Sequence, residues 1–196
     1  MTRRDRPADR RSPRGALSDK ARAEVETRVA HATDSTAIAR IYNDAVRRTV
    51  ATFDTSPRPV ATQRRILQEH ATQGLPLRVA VHAGRVIGWA SLSRWSERRA
   101  YAGTAEVSVY VGARFRGRGV GHRLLSEVLR AAEKRGLHVL LARVADGNAV
   151  SLRLHRRLGF VRIGVMHEVG FKVGRYVDVV LLERRLASPR PRRPPA

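Results

Sequence analysis

The residues best suited to chemistry in this chain lie in one short run, where three glycines alternate with arginine and valine. Val109-Tyr110-Val111-Gly112-Ala113-Arg114-Phe115 leads into Arg116-Gly117-Arg118-Gly119-Val120-Gly121, and a helix-forming stretch follows. An apolar strand thus delivers the chain to a turn that opens a helix. Glycines let successive backbone N–H groups point into one concavity, the helix N-terminus adds partial positive charge, and Arg116 and Arg118 add mobile cations. A dinucleotide fingerprint needs G-x-G-x-x-G, whereas these glycines are spaced G-x-G-x-G, and the Gly-Lys-Ser/Thr end of a Walker A loop is missing. A plain tight turn competes with this reading, but one glycine usually suffices for that. The spacing points to a phosphate cradle outside both rival classes.

Titratable residues stand on either side of the cradle. Glu106 sits in an otherwise apolar strand just before it, where a carboxylate is costly unless it is paired or used. From the residues alone, an edge-strand or ion-paired glutamate competes evenly with a general base. His155 lies in a later helical stretch; its imidazole titrates near neutrality and can donate a proton or hold a water, or it is simply a solvated helix histidine. Asn148 is placed to cap that stretch. His167-Glu168 is not followed by the second histidine of H-E-x-x-H, and no metal is expected. The absence of cysteine excludes disulfides, a thiolate nucleophile and sulfur-ligated metal centres.

Together these segments carry a family resemblance. Arg116-x-x-Gly119-x-Gly121 resembles the pyrophosphate signature of the GNAT superfamily of N-acetyltransferases, Gln/Arg-x-x-Gly-x-Gly/Ala. Asn148-x-x-Ser151-x-x-Leu154-His155-x-x-Leu158-Gly159-Phe160 is similar to the second cofactor segment of that superfamily. From about Thr27 to Leu186 the chain resembles the phosphinothricin acetyltransferase group. That likeness rests on Ile41-Tyr42-Asn43, on Thr52-Phe53 with Pro57, and on Arg98-x-Ala100-Tyr101-x-x-Thr104-x-Glu106-x-Ser108-Val109-Tyr110-Val111. Gly170-Phe171-Lys172-x-Gly174 and Asp178 complete it. Ala105 stands where the group usually has valine, and Tyr176 where it usually has tryptophan.

The resemblance implies an acetyl-CoA-dependent N-acetyltransferase that transfers acetyl directly to the amine of a small molecule, an amino acid or analogue such as phosphinothricin or methionine sulfoximine. It implies Glu106 as base, acting through water, and His155 as proton donor or substrate contact. The backbone of Val109, Tyr110 and Val111 would pair with the pantetheine amides. Arg116, Gly117, Arg118, Gly119, Val120 and Gly121 would hold the pyrophosphate, with Asn148 and Ser151 from the second segment. Trp95, Ser96 and Arg98 are candidates for the acceptor pocket, walled by Phe53 and Tyr101; Trp95 as core and Arg98 as a solvated charge are the plainer readings. An arginine would suit the carboxylate of an amino-acid acceptor. The resemblance also implies a homodimer. Acetylation of protein or peptide amino groups is the nearest alternative; a non-catalytic, basic nucleic-acid-binding module is the more distant one.

The elements that must position these residues follow from periodicity. Asp34 is a candidate N-cap for a helix to about Val50, with Ile38, Ile41, Tyr42, Ala45 and Val46 at helical spacing. A second helix spans Thr62 to Thr72. The period then changes to that of strands at Leu77 to His82, Val86 to Ser93 and Tyr101 to Val111, with a tight hairpin at Ala83-Gly84-Arg85. A helix from Gly119 to Arg135 presents Leu124, Leu125, Val128, Leu129 and Ala132 on one face. A strand at His138 to Val144, a short helix at Ala149 to Leu158, and strands at Phe160 to Gly164 and Tyr176 to Arg184 complete the body. The layout is α/β (α+β), and the resemblance makes it the single-domain acyl-CoA N-acyltransferase fold: a mixed, mostly antiparallel sheet flanked by helices.

Residues 1–27 and 187–196 mix Arg and Pro with few large apolar side chains, and are expected to be a disordered basic leader and tail around a domain at 28–186. No run reaches the roughly 18 apolar residues of a membrane span, and no secretory apolar block is seen, so a cytoplasmic protein without a membrane partner is expected. The net charge of +22 invites nucleic acid as a partner. The excess is scattered, however, and arginine far outnumbers lysine, which fits an arginine-biased composition and argues against such a partner.

Overall fold

A computed structural model describes residues 25–187. Strands β1 (Glu26–Val29), β2 (Leu77–His82), β3 (Arg85–Arg94), β4 (Thr104–Val111), β5 (Val139–Ala145), β6 (Val161–Lys172) and β7 (Arg175–Arg185) form one sheet in the order β1-β2-β3-β4-β5-β7-β6. The helices are α1 (Ser35–Arg48), α2 (Val60–Thr72), α3 (Val120–Lys134) and α4 (Ala149–Arg157). Every neighbouring pair is antiparallel except β4 with β5. Most of the expected leader and tail lies outside the described residues. At the inner end of the leader, Val25 is buried and β1 pairs with β2, so the ordered sheet begins inside the segment expected to be disordered.

The sheet is covered on both faces. On one, α3 buries Leu124, Leu125, Val128, Leu129 and Ala132 against Ala90, Leu92, Ala105 and Val107. On the other, α1 buries Ile38, Ile41, Tyr42 and Val46 against Val79, Val86 and Trp89, with Leu67 of α2. Each of the Leu, Ile and Val side chains among these, withdrawn from water, contributes about 1.5–3 kcal/mol. Being buried on both sides, β3 reads as a nearly continuous apolar run. Ala83 and Gly84, both at positive φ, make the two-residue hairpin between β2 and β3.

Asp34 precedes α1 as expected, but its carboxylate does not cap that helix. Arg28 Nη1 and Nη2 donate to it at 2.6 and 2.9 Å, and the His31 backbone N–H donates at 2.8 Å, so Asp34 ties β1 to the start of α1. The Arg28 pair, with the His31 amide, holds its pKa below the ordinary carboxylate value despite burial. The strand expected from Tyr101 begins only at Thr104, because Arg99–Tyr101 closes a 3₁₀ turn. At the far edge, β6 runs on past Gly164 to Lys172 around a bulge. Glu168 has positive φ there, and Asp178 secures it by accepting from the Glu168 amide at 2.8 Å and from His167 Nδ1 at 3.0 Å.

One irregularity of the sheet positions the site. β4 pairs with β5 at Thr104, Ala105 and Glu106 only, opposite Val139, Leu140 and Leu141. Beyond Glu106 the two parallel strands part, although β4 keeps its other partner as far as Val111.

Candidate active site

The fork divides two adjoining cavities. The larger, of about 780 Å³, follows Val109 to Val111 to the glycine turn and the first residues of α3, with the N-terminal part of α4 as its other wall. The smaller, of about 440 Å³, lies over Glu106, Ser108 and Tyr110 beneath the α1–α2 loop, and reaches His155. Val109, Tyr110, Asn148 and Ser151 line both.

In the larger cavity the glycines have distinct tasks. Gly117 and Gly119 have φ of 73° and 81°, where side chains are strained, and a Cβ on either would meet nothing within 4 Å. Gly121 has ordinary backbone, but a Cβ there would stand 3.3 Å from Leu154 Cδ2, so its bareness lets α4 approach α3. Gly119 is the N-cap of α3, and the first intrahelical bond runs from the Arg123 amide to its carbonyl. The preceding first-turn amides are therefore free to bind an anion. Arg116 Nε donates to the Val111 carbonyl at 2.9 Å, which holds its guanidinium at the cradle. Arg118 does not line the cavity; it lies over the Phe115 ring. Beyond the fork, the backbone groups on the β5-facing side of β4, apart from the Val111 carbonyl that Arg116 takes, suit an extended amide-bearing chain, and the cradle beside them suits a pyrophosphate. These features fit coenzyme A.

In the smaller cavity, β4 turns Glu106, Ser108 and Tyr110 to one face, while Ala105 and Val107 go to the core under α3. Arg143, two residues beyond the partner of Glu106 on β5, reaches back across the fork. Its Nε and Nη2 donate to Glu106 Oε1 and Oε2 at 2.7 and 2.6 Å, a bidentate pair in which the Glu106 side chain is 15% exposed and that of Arg143 52%. Glu106 raises the Arg143 pKa against the opposing effect of burial. The carboxylate in an apolar strand is thus both paired and turned into a cavity.

His155 is 3% exposed, not solvated. Its Nδ1 lies 2.9 Å from the Ser151 carbonyl, which can only accept, so Nδ1 carries the proton and Nε2 a lone pair. Nε2 is buried without a partner. Burial lowers the pKa, and the bond to Ser151 only partly opposes this. Asn148 caps α4, its side chain accepting from the Ser151 amide at 3.2 Å.

The α1–α2 loop roofs the smaller cavity through Thr52, Phe53 and Asp54. Tyr42 Oη bonds Thr52 Oγ1 and Asp54 Oδ2, each at 2.7 Å, and the buried Lys172 donates to the Thr52 carbonyl at 2.6 Å. Phe53 is among the residues that line this cavity. Ser96, Arg98 and Tyr101 line neither cavity: Ser96 Oγ accepts from the Arg98 amide at 3.2 Å in a local turn, and Arg98 and Tyr101 are exposed. Trp95 also stays outside and meets the site only through Arg143, whose guanidinium lies 5.7 Å from its ring centre. Arg143 escaped the sequence reading, although it is also a charge in an apolar strand.

Comparison with known proteins decides the family. Residues 38–160 match the model described as the acetyltransferase (GNAT) family. The chain belongs to that family. This GNAT protein is an N-acetyltransferase, and acetyl-CoA is its cosubstrate. It is 42% identical over 154 residues to an L-methionine sulfoximine/L-methionine sulfone acetyltransferase of Pseudomonas paraeruginosa, covering 78% of this chain and 90% of that one. It is 39% identical to a phosphinothricin N-acetyltransferase of Streptomyces coelicolor, over 84% of this chain and 98% of the relative. The structure of a GNAT phosphinothricin acetyltransferase from Sinorhizobium meliloti in complex with AcCoA superposes with a TM-score of 0.81 at 34% identity, covering 83% and 89% of the two chains. Among the described residues no helix is long and apolar enough to cross a membrane, and no cluster of three or more His, Asp or Glu is placed to hold a metal ion.

Proposed function

We propose that this GNAT enzyme acetylates the amino group of a small amino-acid analogue of the methionine sulfoximine or phosphinothricin kind. The observation that carries the reading is the fork beyond Glu106, which joins a groove shaped for coenzyme A to a small polar pocket that holds the Glu106 carboxylate and one buried imidazole, with Asp54 in its roof. Acetyl-CoA supplies the activated acyl group when bound. Val109 to Val111 hold its amide arm by backbone pairing; Arg116 and the turn from Gly117 to Gly121 hold its pyrophosphate, with Arg118 at the rim. Asn148 and Ser151 fix the α4 end of the groove.

An acceptor amine is protonated near neutrality and must lose a proton before attack. Glu106 takes that proton, directly or through a water between its Oε atoms and the amine. His155 Nε2 is the second proton site: fixed by the Ser151 carbonyl, it receives a proton from within the pocket and returns it to the departing sulfur. Phe53 and the latched loop around it cover part of the pocket over the acceptor.

The same reading includes a homodimer in the cytoplasm. Phe171, Val173 and Tyr176 expose an apolar patch at the tip of the β6–β7 hairpin that a second copy can cover, and a chain without cysteine suits a reducing compartment. Sedimentation of the full chain tests the dimer.

Thiol release from acetyl-CoA, measured with methionine sulfoximine, phosphinothricin, free amino acids and short peptides, tests the activity. Turnover of the small analogues is expected to exceed that of peptides. Peptide turnover above that of every amino acid would replace this reading with acetylation of protein amino groups.

A further inference from the structure

The geometry points to Arg143 as the group that reads the acceptor's carboxylate, its pair with Glu106 being exchanged on binding for the two charges of a zwitterionic amino acid. This rests on the proposed amino-acid acceptor and adds the basis of its selection.

Four observations converge on Arg143. It is the one arginine or lysine among the described residues lining the smaller cavity, whereas Arg98 lies outside it. Its side chain is half exposed, so its guanidinium can be reached from the cavity. It meets Glu106 through a two-pronged contact, the arrangement in which a guanidinium also grips a free carboxylate. Trp95 stands against the guanidinium and limits how far it can swing away.

Charge accounting then gives selectivity. An α-amino acid brings one cation and one anion held a short distance apart. Placed at the fork, it gives its ammonium to Glu106 and its carboxylate to Arg143, so that one ion pair becomes two. A simple amine or an amino-acid amide can satisfy Glu106 only by displacing Arg143, which is left without an anion in a half-buried place. Release of Arg143 also returns the Glu106 lone pairs to the pocket, where the acceptor nitrogen lies. Arg143 is thus a specificity residue that also positions Glu106.

The test compares kcat/KM for methionine sulfoximine and for its carboxamide, at saturating acetyl-CoA, in wild type, Arg143→Gln and Arg143→Lys. The wild type is expected to prefer the acid. Arg143→Gln should shrink that preference by about 10–100-fold, the loss expected for a charge-assisted bidentate contact. Arg143→Lys, with its charge but no fork, should fall between. Coenzyme A affinity, measured by calorimetry on the same proteins, reports folding. An acid-to-amide ratio unchanged in Arg143→Gln, or equal losses on both acceptors, would overturn the assignment while leaving the proposed activity standing. Failure of the wild type on both acceptors would overturn the proposed substrate class and this inference with it.

Discussion

The Phe53 ring rests on the bare backbone of Gly170, so a Cβ built on that glycine would collide with the ring edge. Gly170 is not at positive φ; it is glycine here because an aromatic side chain from the α1–α2 loop needs its space. Gly170→Ala should therefore push Phe53 from the wall of the smaller cavity, the proposed acceptor site, raising KM for the acceptor several-fold with coenzyme A affinity unaltered. In a Phe53→Ala background the same change should have little further effect, since the two substitutions share one contact. Steady-state kinetics of the four proteins measure the coupling, and strict additivity would show that the two residues act independently.

Glu106→Gln keeps the shape of the side chain and removes its charge. Loss of a general base typically lowers rate by about 10²–10⁴-fold. The expectation is a fall of that size in kcat, with coenzyme A still bound, since the groove beyond the fork does not depend on the carboxylate. A kcat within threefold of wild type would reduce Glu106 to a partner of Arg143.

His155 should make stability depend on pH. Its folded pKa lies below the ordinary histidine value of about 6.5 because it is buried, so below that pH the unfolded chain binds a proton that the folded chain resists. Its contribution is therefore fully present above about pH 6.5 and is lost as pH falls toward the depressed folded value. His70, lowered chiefly by burial as well, acts with the same sign. Urea unfolding at pH 7.5, 6.5 and 5.5 should show a decline that His155→Gln makes shallower without abolishing. An unchanged slope in that variant would place the titration elsewhere.

At Gly119 the backbone is left-handed and a side chain would meet no neighbour within 4 Å, so substitution costs conformation rather than space. Left-handed backbone costs an ordinary residue about 1–2 kcal/mol, and a β-branched one is worse placed. Gly119→Val should lose at least that much in stability or else reshape the turn. In either case coenzyme A affinity should fall about tenfold or more, as the α3 amides lose their aim. Calorimetric titration against a folded variant measures it, and unchanged affinity would move the pyrophosphate to another place.

How far these features could be read from sequence depended on whether their cause was local. Gly117 and Gly119 were legible because positive φ is a property of the residue itself, and α3 because its apolar positions recur at helical spacing. Glu106 stood out as a carboxylate in an apolar strand. Arg143 sends the same signal in β5, but its meaning comes from a parallel pairing across 37 residues and from the parting of the strands just beyond. No local period records that. The loop carrying Ser96 and Arg98 showed the opposite case: suitable residue types, turned by the fold onto a surface outside both cavities. The β6 strand was underestimated because its bulge interrupts alternation at His167 and Glu168, and only Asp178 from the neighbouring strand holds it.

The parting of β4 and β5 has a cost outside catalysis. Proteins ordinarily confine bare strand margins to the rim of a sheet and blunt them there, because an unpaired margin recruits any extended chain that comes near. Here such a margin lies in mid-sheet, and it cannot be blunted without losing the groove. A molecule lying along Val109 to Val111 would act as a surrogate strand, so filling the groove is expected to shield this margin from misassembly.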